Sequence, residues 1–229
     1  MFILGYKYET HMHTSEGSAC GVSSGAEQAQ AYFDADYTGI IITDHFFNGN
    51  SAVRRDLPWE KRIELFCMGY ENAKKKGDEI GLDVFLGWEV NFSATEFLVY
   101  GLDKDWLLKH DDVLSWDVQE HYERIKADGG MVIHAHPFRE APYIKEIRLF
   151  PDYVDGVEVF NTANERINPR FNANALKYAR ENGFPETGGT DSHNVKNTGG
   201  GMVFERRLDS IYDYMDAVYN HEGTVITDV

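Results

Sequence analysis

Short apolar runs alternate with longer amphipathic stretches along the chain. The apolar runs predict seven strands, at 3–9, 39–43, 84–88, 97–100, 131–134 and 156–160 and in a short piece before Gly188. Several of these runs are apolar throughout, which is typical of strands buried on both faces of a parallel sheet. No run approaches the ~20 apolar residues that a membrane span requires, so we expect no membrane segment.

The amphipathic stretches predict five helices, at about 24–36, 60–76, 117–126, 169–181 and 208–221. Ser24 and Glu27 have the spacing of a capping box, which marks the start of the first helix. Pro169 would occupy the first position of the fourth helix, where its missing N–H does no harm. Strands alternating with helices predict a single α/β domain over 1–229, built as a (β/α) barrel or a doubly wound sheet.

The charge balance limits the partners of this chain. Its 38 acidic residues exceed its 22 basic residues, for a net charge of −16. Such a surface repels polyanions, so we expect a small-molecule substrate rather than nucleic acid or a membrane. Cys20 and Cys67 form no close-spaced pair, and residues 1–9 lack the apolar region of a secretory signal. These features predict a cytoplasmic protein and leave its oligomeric state open.

Histidines and carboxylates follow the ends of the predicted strands. They are His11, His13, His45, Glu89, His134, His136, Asp191 and His193. A barrel gathers the carboxyl ends of all its strands on one face, which favours the barrel over the open sheet. Neutral imidazoles and carboxylates are preferred ligands of zinc, manganese and iron, and a His-x-His unit on extended chain points both rings the same way. The pattern predicts a metal site, whereas His110, His121 and His221 are interpreted as ordinary surface or core residues.

The ordered motifs resemble those of the PHP (polymerase and histidinol phosphatase) superfamily of metal-dependent phosphoesterases. Between about residues 8 and 201 they are His11-Met-His13-Thr14, Ile42-Thr-Asp44-His45, Gly87-Trp-Glu89, His134-Ala-His136-Pro137-Phe-Arg139 and Gly189-Thr-Asp191-Ser-His193. Asp155-Gly-Val-Glu-Val-Phe-Asn161 is similar to a segment that precedes the final motifs. The resemblance implies a distorted (β/α)7 TIM-like barrel that holds two or three divalent ions of zinc, manganese, iron or magnesium.

The resemblance also implies which residues ligate each ion. One ion would be surrounded by His11, His13, Glu89 and Asp191. Glu89 would bridge to a second ion held by His136, which immediately precedes a proline as the family's ligand does, whereas His134 would only shape the pocket. His45 and His193 would serve a third ion.

The chain departs from the family pattern at two places. Members commonly carry Asp or His where this chain has Ser18 and Ala19, and Glu16 and Cys20 are the nearest replacements. A family histidine about ten residues after the bridging glutamate is also missing, with Glu96 as the nearest replacement. These departures predict a weak or missing third ion. They also predict a preference shifted from zinc toward manganese, iron or magnesium, which suit oxygen ligands.

The predicted activity is hydrolysis of a small-molecule phosphate ester. A divalent metal lowers the pKa of its bound water from about 15.7 toward ~7 and so supplies hydroxide near neutral pH. Glu89 and Asp191 are the predicted catalytic residues: Glu89 would bridge two ions, and Asp191 would orient ligands or handle protons. Asp44 is interpreted as a hydrogen-bond acceptor behind the ligands. Arg139 and Arg166 are the predicted phosphate-binding residues.

Two other functions remain open on the sequence alone. One is an amidohydrolase-like enzyme that opens C–N or C–O bonds, and the other is a non-catalytic, degenerate metal-binding module. A nuclease is disfavoured by the charge balance. The substrate stays open among histidinol phosphate, nucleotides, sugar phosphates and phosphotyrosine, because loop contacts decide among them. Phe46, Phe47, Trp88 and Tyr143 are candidates for either the pocket or the core.

Overall fold

One sheet of nine strands organises the fold in the computed structural model, which describes residues 5–228. The strands are β1 (Tyr6–Met12), β2 (Gly39–Ile42), β3 (Asp83–Phe92), β4 (Thr95–Tyr100), β5 (Met131–His134), β6 (Gly156–Asn161), β7 (Glu186–Gly189), β8 (Met202–Phe204) and β9 (Thr224–Val225). Their order across the sheet is β7-β6-β5-β4-β3-β2-β1-β8-β9. All seven predicted strands are present, although the first two residues of the predicted strand 3–9 lie outside the described residues.

The sheet curls until its ends nearly meet. Strands β1, β2 and β3 are parallel neighbours, as are β5, β6 and β7, and β4 is inserted antiparallel between the two groups. Beyond β7 the chain reaches β1, where Asp191 N donates to His11 O at 2.8 Å and His13 N donates to Ser192 O at 2.8 Å. The predicted α/β barrel is therefore confirmed, with β8 and β9 as an additional antiparallel edge.

Eight α-helices connect the strands. They are α1 (Gly25–Asp34), α2 (Trp59–Phe66), α3 (Met68–Ile80), α4 (Lys104–Lys109), α5 (Val118–Ala127), α6 (Thr162–Ile167), α7 (Arg170–Asn182) and α8 (Ile211–Tyr219) among residues 5–228. The capping box of α1 is present as predicted: Ser24 Oγ accepts from Glu27 N, and the Glu27 carboxylate accepts from Ser24 N at 2.7 Å. The single helix predicted over 60–76 is two helices that meet at Cys67.

Large aromatic residues next to the strand ends fill the core rather than the pocket. Phe46, Phe47 and Trp88 are each at most 2% exposed and pack together with Phe66, and the Phe46 and Phe47 ring centroids lie 4.5 Å apart. The sequence left open whether these three residues line the pocket or fill the core, and their packing places them in the core. Within residues 5–228, no helix has both the length and the apolar character to cross a membrane.

Candidate metal centre

Strand β1 carries three polar side chains into the interior. Glu9, His11 and His13 alternate along extended chain, and side chains two residues apart point to the same face of a strand. All three are fully buried. Glu9 accepts hydrogen bonds from His11 N at 2.8 Å and from Thr190 N at 2.9 Å, which ties β1 to the segment after β7. The buried Glu9 carboxylate therefore contributes to the closure of the barrel, together with the backbone hydrogen bonds between these two segments.

Glu89 lies among four imidazoles that come from three separate parts of the chain. The distances are 2.6 Å from Glu89 Oε2 to His45 Nδ1, 3.1 Å from Oε1 to His136 Nε2, 3.3 Å from Oε1 to His11 Nε2 and 3.6 Å from Oε2 to His13 Nε2. The segment that follows β2 pairs with β3 at this position. Phe46 N donates to Glu89 O at 2.7 Å, and Glu89 N donates to Asp44 O at 3.0 Å. This backbone pairing fixes His45 beside Glu89.

Asp191 forms the second acidic position of the cluster. Its Oδ1 lies 3.0 Å from His13 Nε2, and its Oδ2 accepts from Arg139 Nη2 at 2.5 Å. Asp191 and His136 have φ angles of 56° and 29°, in the left-handed region that residues other than glycine seldom adopt. Backbone strain of this kind is concentrated at functional sites. Here the two strained conformations are stabilised by hydrogen bonds from Asp191 N to His11 O and from His136 N to the side-chain Oε2 of Glu158.

Four overlapping groups of these side chains place their ligand atoms within 4.8 Å of one another among residues 5–228. They are His11–His13–Glu89, His11–His136–Asp191, His13–His45–His193 and His45–Glu89–Glu96. Buried atoms that point into these groups, His11 Nε2, His13 Nε2, His45 Nδ1 and Glu89 Oε2, make no hydrogen bond of acceptable geometry within the described part of the chain. Unpaired buried polar atoms need another partner, and this set of nitrogen and oxygen donors fits divalent metals.

The protonation states of the central groups suit metal ligation. Burial by itself would raise the pKa of Glu89, but the imidazoles of His45 and His11 hold it well below its usual value. The pKa of Asp191 is likewise held well below its usual value, against burial, by Arg139 and His11. Burial and the neighbouring His45 lower the pKa of His13 to about 3. Two anions and a neutral imidazole are the forms that bind metal.

In the absence of a metal, the imidazoles of His11 and His45 favour their protonated, positively charged forms. Although burial opposes it, Glu89 raises the pKa of His45 to about 11, and Glu158 and Glu89 raise the pKa of His11 well above its usual value. A ligating imidazole is neutral, so metal binding at His11 or His45 is coupled to proton release.

Glu158 is a functional residue that the sequence reasoning missed. Its Oε1 lies 2.9 Å from His11 Nδ1, and its Oε2 accepts from His136 N at 2.9 Å and from Asn161 Nδ2 at 3.1 Å. A carboxylate on the far nitrogen of a ligating histidine fixes its tautomer and ring orientation. The available signal was a single acidic residue within an apolar strand, in Gly156-Val-Glu158-Val-Phe160.

Asp44 accepts from Thr14 N and Thr14 Oγ1, both at 2.6 Å, and from Ser18 Oγ at 2.7 Å. These bonds agree with its interpretation as an acceptor behind the ligands. Burial raises the pKa of Asp44 to about 6, although the hydrogen bonds from Ser18 and Thr14 oppose this effect.

Glu96, the nearest replacement for the missing family histidine, and His134 have different surroundings. Glu96 lies with its Oε2 3.6 Å from His136 Nε2, and its Oε1 accepts from Asn91 Nδ2 at 2.8 Å. His134 is outside this cluster: its ring stacks on Phe97 with centroids 4.9 Å apart, and neither ring nitrogen bonds to a residue within 5–228. Glu96 therefore lies beside the predicted ligand His136, whereas His134 packs against Phe97.

A cavity of about 550 Å³ opens onto the cluster and is lined by His45, His193, Glu96, Arg139 and Tyr143 among others. This volume is in the usual range for small-molecule sites. Arg139 donates from Nε to Asn164 Oδ1 at 2.7 Å and from Nη2 to Asn161 Oδ1 and Asp191 Oδ2, so it is held firmly at the cavity wall. Arg166 lies elsewhere: it is exposed on α6 and bonds Asn197 at 3.0 Å. Its role in substrate binding stays a prediction.

The barrel and the buried imidazole–carboxylate cluster at its strand ends define the class as a barrel protein with a centre suited to divalent metals. Residues 169–220 match the model of the PHP-associated family PHP_C. This match covers less than a quarter of the chain, and a solved structure of a PHP-like protein shares its fold.

Three known proteins are similar to this chain in sequence or in fold. An uncharacterized protein of Methanocaldococcus jannaschii is 36% identical over 95 residues, 41% of this chain and 51% of that protein, so the match spans about half the length of this relative. A two-domain protein from Bacteroides vulgatus, described as containing a predicted PHP-like metal-dependent phosphoesterase, has a TM-score of 0.71 at 13% identity over 96% of this chain and 64% of that chain. An amidohydrolase from Chromobacterium violaceum, solved with bound sulfate and no metal, has a TM-score of 0.61 at 15% identity over 97% and 99%. At 13% and 15% identity, the similarity to the two solved structures shows a shared fold and no more.

Proposed function

We propose that this chain is a metal-dependent hydrolase of small-molecule phosphate esters. The observation that carries the proposal is the position of Glu89, whose carboxylate lies within 3.6 Å of nitrogens of four imidazoles. One buried carboxylate with two oxygens facing different imidazoles is suited to join two cation positions. The family match and the PHP-like neighbours support the same class of reaction.

The proposed ligands combine the observed groups with the pairwise distances between their side chains. His11, His13, Glu89 and Asp191 would hold one divalent ion. Glu89 and Glu96, which lie 3.1 and 3.6 Å from His136 Nε2, would hold a second ion together with His136. His45 and His193 would contribute to a third position. When bound, such ions lower the pKa of water and neutralise charge that develops on a phosphoryl group.

The side chains around this centre would bind and orient the ester. Arg139 keeps its Nη1 free of hydrogen bonds to residues 5–228, while Nε and Nη2 anchor the guanidinium to Asn164, Asn161 and Asp191. A fixed cation at the cavity wall positions a phosphate oxygen without further loss of side-chain entropy. Asp191 is held as an anion beside His13, so its carboxylate would ligate a cation and orient the neighbouring ligands. Tyr143, at the mouth of the cavity, would contact the organic part of the ester.

The test begins with elemental analysis of the purified protein, followed by a phosphate-release screen in each metal found. The substrates are an aryl phosphate, a nucleotide, a sugar phosphate and histidinol phosphate. We expect Glu89→Gln to lower kcat at least about 100-fold, the scale of losing one preorganised charge partner. Exposed Glu205→Gln is the matched control and should keep parental kcat. Parental turnover in Glu89→Gln would contradict the proposed centre.

A second candidate function is hydrolysis of an amide, which is favoured by the shared fold of the amidohydrolase from Chromobacterium violaceum. A parallel panel of amides separates this function from phosphate-ester hydrolysis. The parent should turn over only one of the two panels, and Glu89→Gln should lose that turnover. Tight metal binding without turnover of either panel would favour the non-catalytic alternative.

A further inference from the structure

Three carboxamide side chains line the cavity that opens onto the metal centre. Asn48 and Asn50 belong to the loop after β2, Asn91 belongs to β3, and Tyr143 lines the same cavity of about 550 Å³. A carboxamide is neutral and offers both hydrogen-bond donors and an acceptor, so it pairs well with hydroxyl groups, which also offer both. This part of the cavity therefore suits a neutral, oxygen-rich portion of a ligand.

The carboxamide of Asn48 retains a donor for such a ligand. Its Oδ1 accepts from Asn91 N at 3.2 Å, which fixes which end of the carboxamide is the oxygen. Its Nδ2 makes no hydrogen bond to any residue within 5–228. Asn91 has both ends engaged, because Oδ1 accepts from Ala94 N at 3.0 Å and Nδ2 donates to Glu96 Oε1 at 2.8 Å. Asn91 therefore holds Asn48 in place, and Asn48 can bind the ligand.

The backbone holds the loop that carries Asn48 and Asn50. Gly49 N donates to Phe46 O at 2.8 Å, and Ala19 N donates to Asn50 O at 2.8 Å. The side chain of Asn50 is exposed and makes no hydrogen bond within the described part of the chain. A loop fixed in this way presents two carboxamides at a small cost in conformational entropy when a ligand binds.

The charged side chains of the cavity match one anionic group and no cationic group. Arg139 is the single lysine or arginine that lines the cavity among residues 5–228. The lining carboxylates there are Glu96 and Asp191, and both belong to the proposed metal centre. A second phosphate beyond the reach of the metal ions would lack a cation, and an ammonium group would lack a free carboxylate. The cavity therefore favours a substrate with one phosphate and no amine.

The apolar surface of the cavity is too small to enclose a flat ring. Apart from the imidazoles, Tyr143 is the one aromatic side chain that lines it within the described residues, and Tyr143 is 65% exposed. Phe46, Phe47 and Trp88 are packed in the core. A base or an aryl group would need apolar contacts on both faces, whereas one tyrosine ring is enough to cover the C–H face of a sugar.

We propose that the substrate is the monophosphate ester of a polyhydroxylated alcohol, such as a sugar, and that Asn48 and Asn50 determine this specificity by bonding its hydroxyl groups. The inference rests on the proposed function and deepens it by naming the substrate class. The metal centre and Arg139 would hold the phosphate, and Tyr143 would cover the carbon skeleton. Esters without hydroxyl groups are then poor substrates, because the polar groups of the wall would stay unpaired.

Kinetics with matched esters test this inference. The probes are glucose 6-phosphate, ribose 5-phosphate, n-hexyl phosphate and adenosine 5′-monophosphate, assayed by phosphate release with each metal found in the purified protein. We expect kcat/KM for the better sugar phosphate to exceed that for n-hexyl phosphate at least about 100-fold, because only the sugar pairs the wall. We also expect it to exceed kcat/KM for adenosine 5′-monophosphate, whose base lacks an apolar slot.

The variants assign the preference to the loop. Asn48→Ala should lower kcat/KM for the sugar phosphate about 10-fold, mainly through KM, and leave kcat/KM for n-hexyl phosphate unchanged. Asn220→Ala is the matched control, because Asn220 is exposed at the end of α8, and it should keep both values. Circular dichroism identifies any loss of fold in Asn48→Ala. Asn50→Ala is the second variant, since its side chain is exposed, and it should lower the ratio of the two values a few-fold.

The outcomes separate this inference from the proposed function. Equal kcat/KM for the sugar phosphates and n-hexyl phosphate, a preference for adenosine 5′-monophosphate, or a sugar preference that survives in both Asn48→Ala and Asn50→Ala would overturn the inference. In each of these cases the proposed phosphate-ester hydrolysis still stands. A protein that releases no phosphate from any of the four esters would overturn the proposed function and the inference together.

Discussion

At the scale of single residues, Glu158 shows how a side chain that does not face the cavity organises the centre. One of its oxygens lies 2.9 Å from His11 Nδ1, and the other accepts from the backbone of His136. The same carboxylate thus sets the direction of the His11 ring and holds His136 at its unusual φ of 29°. Both effects place ligand nitrogens toward Glu89, so Glu158 acts by positioning rather than by ligation.

We predict that Glu158→Gln lowers the affinity for divalent metal by about 10- to 100-fold, the usual effect of removing a carboxylate behind a ligating histidine. A glutamine side chain that donates to His11 Nδ1 would force the proton onto Nε2, which then no longer binds metal. Competition with a chromophoric chelator measures the affinity, and exposed Glu205→Gln serves as the control. Equal affinities in parent and Glu158→Gln would show that His11 does not need this carboxylate.

At the scale of elements, helix α5 carries a polar residue into an apolar layer. His121 is 2% exposed, its ring lies 5.3 Å from the ring of Phe92, and its Nε2 makes no hydrogen bond to any residue within 5–228. The sequence analysis interpreted this histidine as an ordinary surface or core residue, and its burial against an aromatic ring agrees with that interpretation. Burial lowers its pKa to about 4 because the charged form loses its hydration.

This burial predicts a pH dependence of stability. Above pH about 6.5 the imidazole is neutral in both the folded and the unfolded chain. Between pH about 6.5 and 4 only the unfolded chain takes up the proton, so the free energy of unfolding falls as the pH is lowered, by at most about 3 kcal/mol. His121→Leu should lack this part of the decline.

Urea unfolding of the metal-free parent and of His121→Leu at a series of pH values measures the difference. The difference in free energy of unfolding between the two proteins should be constant near neutral pH and should change toward pH 4, with His121→Leu the less sensitive protein to acid. Curves that stay parallel over this range would mean that His121 is hydrated or protonated in the folded state.

At the scale of the whole molecule, closure of the barrel brings the ligands together. His11 and Asp191 are 180 positions apart in the chain, yet their backbones are joined by the hydrogen bond from Asp191 N to His11 O. The closed sheet therefore assembles the candidate metal centre, and metal bound there is expected to oppose opening of the sheet.

We predict that divalent metal stabilises the folded chain by mass action, since the ligands are assembled only in the fold. At a free metal concentration 100 times Kd the gain is about 2.7 kcal/mol, and it is observed as a rise in Tm. Differential scanning calorimetry with and without zinc or manganese measures the rise. Glu89→Gln should show a smaller rise, and a Tm that is independent of metal in the parent would contradict the prediction.

The sequence predicted most regular elements but not all of them. Continuous apolar runs predicted the seven strands, and the capping residues predicted the start of α1. Helices α4 and α6 have six residues each, too few turns to show a periodic pattern, and β8 and β9 are shorter still. The antiparallel direction of β4 is also absent from the pattern, because a buried strand has the same apolar residues in either direction.

The order of the histidine and carboxylate motifs by itself determined the class of site, because residue type fixes which ligands the chain can offer. Only the tertiary structure decided where those ligands lie: it placed Glu89 among four imidazoles, Arg139 at the cavity wall and Arg166 away from it. It also decided the position of Glu158, since its partner His11 is distant in the chain and meets it only when the sheet curls closed. Residue type determines which chemistry a side chain can take part in, and closure of the sheet determines which side chains are its neighbours.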